Sequence, residues 1–256
     1  MTPRLPAAFF DAPIAHRALH DVADGRPENS VEAIGAAIAA GYGIEIDLQL
    51  SRDGRAMVFH DYDLKRLTGV SGPIQQRDAA ALARQPLLGG KTGIPLLEEV
   101  LAQVAGQVPL LIELKDQHGQ MGITDGRLER AVAHALAGYR GPVAVMSFNP
   151  NSVVALAGLL PALPRGLVTE HYPKDDWPLL RDEVRRHLRH IPDYDRAGAS
   201  FISHDRADLA APRVAELQAA GADVLCWTVR SPEQEKIARQ VARNITFEGY
   251  LAAFPA

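Results

Sequence analysis

The sequence predicts an α/β protein, a (β/α)8 TIM barrel with a small insertion after the hairpin of its second strand. Three observations carry this. Short β-type runs fall at residues 14–17, 43–51, 108–115, 142–148, 165–170, 200–205, 223–229 and 245–250, several nearly all apolar, as buried parallel strands are. Helical patterns fill the gaps at 29–40, 96–105, 126–137, 151–160, 175–190, 208–220 and 232–243. The alternation occupies 256 residues, the usual length of one such barrel. An open doubly wound sheet competes, but it would announce a glycine-rich first turn, and residues 16–28 contain no G-x-G-x-x-G.

Local signals support the elements in turn. Gly41, Gly138 and Gly221 follow helical runs and supply the left-handed residue that closes a helix. Asn29 with Glu32 reads as a capping box opening the first helix after strand 14–17. Asp53-Gly54 is a type I′ turn signal, with residues 56–60 as the returning strand. A two-residue loop there sets Leu48 against Phe59 and Asp47 against His60. Residues 61–94 have no clean period and form the insertion, so one domain is expected over 1–256.

Composition narrows the function. Hydrophobic residues at 47% and charged residues at 23% describe a soluble globular chain. A net charge of -4, without a Lys/Arg run, offers no field for nucleic acid and no stable membrane association. The longest apolar segment, 153–163, is broken by Gly158 and Pro161 and is too short to span a bilayer. Cys226 stands alone, so no intramolecular disulfide forms, and the N-terminal stretch lacks the apolar core of a signal peptide. A cytoplasmic protein is the expectation; oligomeric state is not encoded in any of these patterns.

The chemistry concentrates where apolar runs end in charge. Glu45 and Asp47 are one residue apart on a strand, so both face one way while Ile44, Ile46 and Leu48 face the other. Two adjacent carboxylates turned into a barrel are costly unless a divalent cation, Mg²⁺ or Ca²⁺, joins them. His16 and His60 both follow strand-like runs, and imidazoles ionising near neutrality suit a general acid/base pair. Arg17 can grip a phosphate oxygen. Glu113 and Lys115 share a face, either as a salt bridge or as a metal ligand beside a cation. Glu28 either belongs to the site or merely precedes a helix cap. Trp227 ends a strand as core or as a wall against the alcohol group of a substrate. Together these groups are a kit for breaking a small-molecule phosphodiester.

The ordered set His16-Arg17-Ala18, Pro27-Glu28-Asn29-Ser30, Glu45-Ile46-Asp47, Asp53-Gly54 and His60-Asp61 resembles the glycerophosphodiester phosphodiesterase family. Later blocks extend the likeness over nearly the whole chain: Ile94-Pro95-Leu96-Leu97-Glu98-Glu99, Glu113-Leu114-Lys115, Ser147-Phe148 and Trp227-Thr228-Val229. The resemblance implies a (β/α)8 barrel with an insertion after the His60 strand and hydrolysis of glycerophosphodiesters to glycerol 3-phosphate and an alcohol. It implies His16 and His60 as acid and base, Glu45, Asp47 and Glu113 as ligands of Mg²⁺ or Ca²⁺, and Arg17 and Lys115 on the phosphate. Two departures stand out: Ala18 replaces the family's glycine, and the terminal Thr-Asp-x-Pro motif is missing, with Glu248 nearby in its place. Phospholipase D-like cleavage of lysophospholipids, or a non-catalytic barrel binding a phosphorylated metabolite, are the competing readings.

Overall fold

The computed structural model describes residues 3–255. Its strands are β1 (Ile14–Ala15), β2 (Gly43–Leu50), β3 (Ala56–Val58), β4 (Leu110–Leu114), β5 (Val143–Ser147), β6 (Arg165–Thr169), β7 (Phe201–Asp205), β8 (Asp223–Val229) and β9 (Asn244–Phe247). All pair in parallel except β3, which returns antiparallel along β2. β1 pairs with both β2 and β9, and this closes the sheet into a barrel. Helices α1 (Ala8–Asp11), α2 (Val31–Ala40), α3 (Lys65–Thr68), α4 (Ala79–Leu82), α5 (Leu97–Val104), α6 (Arg127–Ala135), α7 (Pro150–Leu159), α8 (Asp182–Arg189), α9 (Pro212–Ala219) and α10 (Pro232–Ala238) complete the order. The predicted (β/α)8 barrel is the fold.

Strand alternation divides the apolar residues into two cores. Ile44, Ile46 and Leu48 point outward and pack with Ile34, Leu97 and Val100 of the surrounding helices. Ile14, Leu111, Met146, Val168, Phe201 and Leu225 fill the interior, with Leu5 and Phe9 of the N-terminal segment in the same cluster. Gly166 is required here: a Cβ at this position would lie 2.3 Å from the Phe201 ring. Full burial of one such ring contributes roughly 2–3 kcal/mol, so the filling that closes the interior also stabilises it. What remains open is the end where the strands finish, where (β/α)8 enzymes carry their sites.

Several boundaries differ from the sequence expectation. β1 stops at Ala15 because Arg17 and Ala18 adopt left-handed backbone, with φ of 52° and 65°. Asn29 is also left-handed, at φ 59°, so it does not cap α2; Ser30 does, its hydroxyl accepting from Ala33 N at 3.1 Å. The region 175–190 is helical only from Asp182, since Pro178 disfavours helical backbone at the preceding Trp177. The helix expected at 208–220 begins at Pro212, a residue suited to a first turn.

The hairpin register is also corrected. Leu48 pairs with Val58 and Leu50 with Ala56, one residue away from the expected pairing. The loop holds three residues, Arg52 to Gly54, closed by Ser51 N donating to Arg55 O at 2.9 Å. Gly54 at φ 82° supplies the left-handed position that this loop length requires. Asp47 therefore lies opposite Phe59, whose N–H donates to Asp47 O at 2.9 Å, and not opposite His60. The insertion then builds a small core of its own: Leu64, Ile74, Leu82, Leu87 and Ile94 pack with Met57 and Phe59. Its far end is fastened to α2, where Glu32 accepts from Lys91 N at 3.1 Å and Thr92 Oγ1 at 2.8 Å.

Candidate active site

β2 and β4 bring the acidic residues together. Asp47 and Glu113 are register partners, and Glu45 lies two residues before Asp47 on the same face. Carboxylate oxygens of Glu45, Asp47 and Glu113 all lie within 4.8 Å of one another, and all three residues are buried. Lys115 Nζ sits 2.7 Å from Asp47 Oδ1 and 2.6 Å from Glu113 Oε1. Three carboxylates thus face one ammonium, and the electrostatics are divided unevenly. Burial opposes ionisation of Asp47, but Lys115, His60 and Arg17 outweigh it and hold that carboxyl far below the ordinary range. Burial, then Asp47 and Glu113, push Glu45 well above it. Burial also raises Glu113, against the pull of Lys115.

Glu45 shows how the cluster suits a cation. Its Oε2 accepts from Arg17 N at 2.9 Å, whereas its Oε1 is buried without a hydrogen-bond partner. A buried acceptor among like charges calls for a cation, and hard oxygen ligands of this kind suit a divalent one. The residues present fit such an ion.

Both expected histidines line one cavity of about 140 Å³ with Arg17, Glu45, Glu113, Lys115 and Trp227. Each ring is held through Nδ1 by a carboxylate: His16 by Glu248 Oε2 at 2.6 Å, His60 by Asp61 Oδ1 at 2.7 Å. Each carboxylate has its own arginine, Arg230 on Glu248 at 2.7 Å and Arg66 on Asp61 at 2.6 Å. A carboxylate on Nδ1 fixes the proton there and leaves Nε2 as the ring atom available to the cavity. Burial lowers the His16 pKa despite Glu248, so this imidazole favours its neutral form. Burial works against the Glu248 carboxylate, but His16, His20 and Arg230 together hold it far below its ordinary value.

Glu28 stands behind Arg17. Glu28 Oε1 accepts from Arg17 NH1 at 2.8 Å, and both Glu28 oxygens accept from Arg66 at 2.8 Å. Glu28 is thereby occupied by two guanidiniums. Arg17 Nε stays buried without a hydrogen-bond acceptor, 3.5 Å from Asp47 Oδ2. The left-handed Asn29 spends its amide on Asp47, donating to Oδ2 at 2.9 Å and accepting from the Asp47 N–H at 3.2 Å. Trp227 lines the cavity, its indole N–H donating to Ser203 O at 3.0 Å.

The arrangement therefore collects every residue singled out in the sequence, though Glu28 reaches it through Arg17. Asn29, Arg66 and Arg230 were missed as parts of it. Asn29 carried a misleading signal, because its spacing to Glu32 mimics a cap. Arg66 and Arg230 carried none, since only the folded chain brings them to Asp61 and Glu248.

A barrel with acidic groups, two carboxylate-held histidines and a half-buried arginine at one mouth fits a hydrolase of phosphoric diesters. The model of the glycerophosphoryl diester phosphodiesterase family matches residues 16–246, so the chain belongs to that family and is an enzyme of its class. The Bacillus subtilis protein YhdW, provisionally named a glycerophosphodiester phosphodiesterase, is 28% identical over 253 residues, 94% of each chain. A glycerophosphodiester phosphodiesterase of Bacillus altitudinis is 32% identical over 152 residues, 56% of this chain and 61% of its own. The fold is similar to an Oleispira antarctica phosphodiesterase solved with its product sn-glycerol-3-phosphate, with TM-score 0.74 and 24% identity over 95% of this chain and 93% of the other. Among the described residues no helix is long and apolar enough to cross a membrane.

Proposed function

We propose that the enzyme hydrolyses glycerophosphodiesters to glycerol 3-phosphate and an alcohol, with His16 and His60 as the acid/base pair. The observation that carries this reading is the pair of histidines, each oriented through Nδ1 by a carboxylate, lining one cavity with the carboxylate cluster. Binding alone needs no such pair. One Nε2 takes the proton of the attacking hydroxyl while the other delivers a proton to the leaving oxygen. Arg17, whose Nε lacks an acceptor, and Lys115 hold the phosphoryl oxygens and stabilise the charge that develops on them. Glu28 and Trp227 serve substrate binding, Glu28 by orienting Arg17 and Trp227 as a wall of the cavity.

Glu45, Asp47 and Glu113 would hold a Mg²⁺ or Ca²⁺ ion. When bound, that ion supplies positive charge against the phosphoryl oxygens. The test is a turnover assay with added Mg²⁺ or Ca²⁺ on glycerophosphocholine, glycerophosphoethanolamine, glycerophosphoglycerol and a lysophospholipid. Release of glycerol 3-phosphate from the first three is expected. Cleavage of the lysolipid alone would favour the phospholipase D-like reading, and no turnover of any diester would leave a binding protein.

Glu248 acts as a positioning residue for His16. Glu248→Gln keeps the shape but can hold the wrong imidazole tautomer, as its amide is able to donate to Nδ1. A fall in kcat of about 10- to 100-fold is expected, with KM nearly unchanged and a displaced pH–rate profile. An unchanged kcat and profile would assign Glu248 to structure only.

A further inference from the structure

A second cavity, of about 500 Å³, opens beside the catalytic one and shares His60, Glu113, Lys115, Phe148 and Trp227 with it. One side of its wall is aromatic and much of the rest is acidic. Phe148 lies 5.1 Å from Trp177 and 5.5 Å from Trp227, measured between ring centroids, and Tyr62 lines the same space. The indole N–H of Trp177 is given to Glu170 and that of Trp227 to Ser203 O, so both rings have their polar edges satisfied within the protein. What such rings still offer is the negative face of the π system.

The charge on this wall is unbalanced. Glu170 is only 7% exposed, and among the described residues no Lys or Arg lies within ion-pairing distance of it. Most other acids around the site are treated differently; Glu45, which likewise lacks a Lys or Arg partner, stands in the carboxylate cluster that fits a metal ion. Asp61, Glu28 and Glu248 each hold an arginine, and Asp47 and Glu113 hold Lys115. Asp116 receives three N–H donors, from Asn149, Gln120 and Met121. Burial pushes the Glu170 carboxyl above the ordinary range against the indole N–H of Trp177; among its charged neighbours Asp205 and Asp176 add negative charge and His171 opposes them. A buried carboxylate without a counter-ion, set among aromatic faces, is a complementary environment for an organic cation.

We propose that this cavity is a subsite for a leaving alcohol bearing an ammonium group, with Trp177 supplying the face and Glu170 the counter-charge. The assignment rests on the diesterase reading above. Arg17, which lines only the neighbouring cavity, and Lys115 at the seam between the two hold the phosphate there, and the acidic wall repels it from the second. The shared residues His60 and Trp227 then let one diester reach across both. Glu170, His171 and Asp205 also offer atoms within 4.8 Å of one another that could ligate a metal ion. His171 is half exposed and stands 4.0 Å from Asp205, so the aromatic wall favours the organic cation.

The experiment compares kcat/KM for glycerophosphocholine with that for its neutral isostere, in which a 3,3-dimethylbutyl group replaces choline. Wild type should favour the cation by about tenfold or more. In Glu170→Gln, an isosteric change, and in Trp177→Leu, the ratio should fall to near one. Equal rates on both diesters in wild type would overturn the proposal while leaving the diesterase reading intact. Equal losses on both diesters in the variants would overturn it too, placing the glycerol end or a structural role at this wall. If Glu170→Gln instead raised the divalent-cation requirement for both, the trio would be a metal site. Should no diester be hydrolysed, the diesterase reading fails, and tetramethylammonium quenching of tryptophan fluorescence still decides the subsite: binding lost in Glu170→Gln supports it, and no binding by wild type refutes it.

Discussion

His16→Ala and His60→Ala are each expected to lower kcat by roughly a thousandfold, since positioned acid/base groups contribute about 10²–10⁴. KM should change little, because in the proposed mechanism Arg17 and Lys115 hold the phosphate. The double variant should be scarcely worse than either single one, since the two rings act in one proton-transfer cycle. A substrate with a nitrophenol leaving group separates the roles. Nitrophenolate departs without a proton, so the variant lacking the acid recovers most of its rate and the variant lacking the base does not. Near wild-type kcat in either alanine variant, with an unchanged melting temperature, would dismiss the pair.

Chelation is expected to abolish turnover, and added Mg²⁺ or Ca²⁺ to restore it. At a hundredfold excess over Kd the ion adds about 2.7 kcal/mol, a rise in Tm of roughly 5–10 °C for a chain of this size. Glu45→Gln makes the test sharper because its two effects have opposite signs. The Glu45 carboxyl is raised in the fold, so its contribution favours the fold at acid pH and is lost as pH rises through the folded value. Without metal at neutral pH, the glutamine variant should therefore melt higher than wild type, the gap closing as pH falls. With metal, the order should reverse and the metal-induced rise should vanish. Cation affinity should also weaken as the solution is acidified, because protons on Glu45 and Glu113 must be displaced. Turnover indifferent to chelation, with no thermal shift, would exclude the ion.

Strand periodicity made the barrel and its acidic face legible. Ile44, Ile46 and Leu48 alternate with Glu45 and Asp47, and folding preserved that division. The hairpin was less legible because Asp53-Gly54 serves two loop types, and one residue of loop length decides which neighbour faces Asp47. His60 nevertheless reaches the cavity, since it lies beyond the last paired residue of β3, where strand alternation no longer governs direction. Asn29 misled for a related reason: its amide can cap a helix or brace a carboxylate, and proximity to Asp47 decided the matter. The arginines behind the histidines were invisible, because ion pairs separated by 5 to 38 residues in the chain leave no local pattern.

Arg66 and Thr92 set the limits within which the insertion can be exchanged. Arg66 joins Asp61 to Glu28 near its start, and Thr92 is tied to Glu32 near its end. A chimaera that swaps the whole of residues 61–94 for another loop removes the brace behind His60 and the one behind Arg17 together. One whose junctions fall inside those ties replaces only the surface excursion. The replaceable module is thus shorter than the irregular stretch of sequence, and its seams are chosen by two carboxylates that lie outside it.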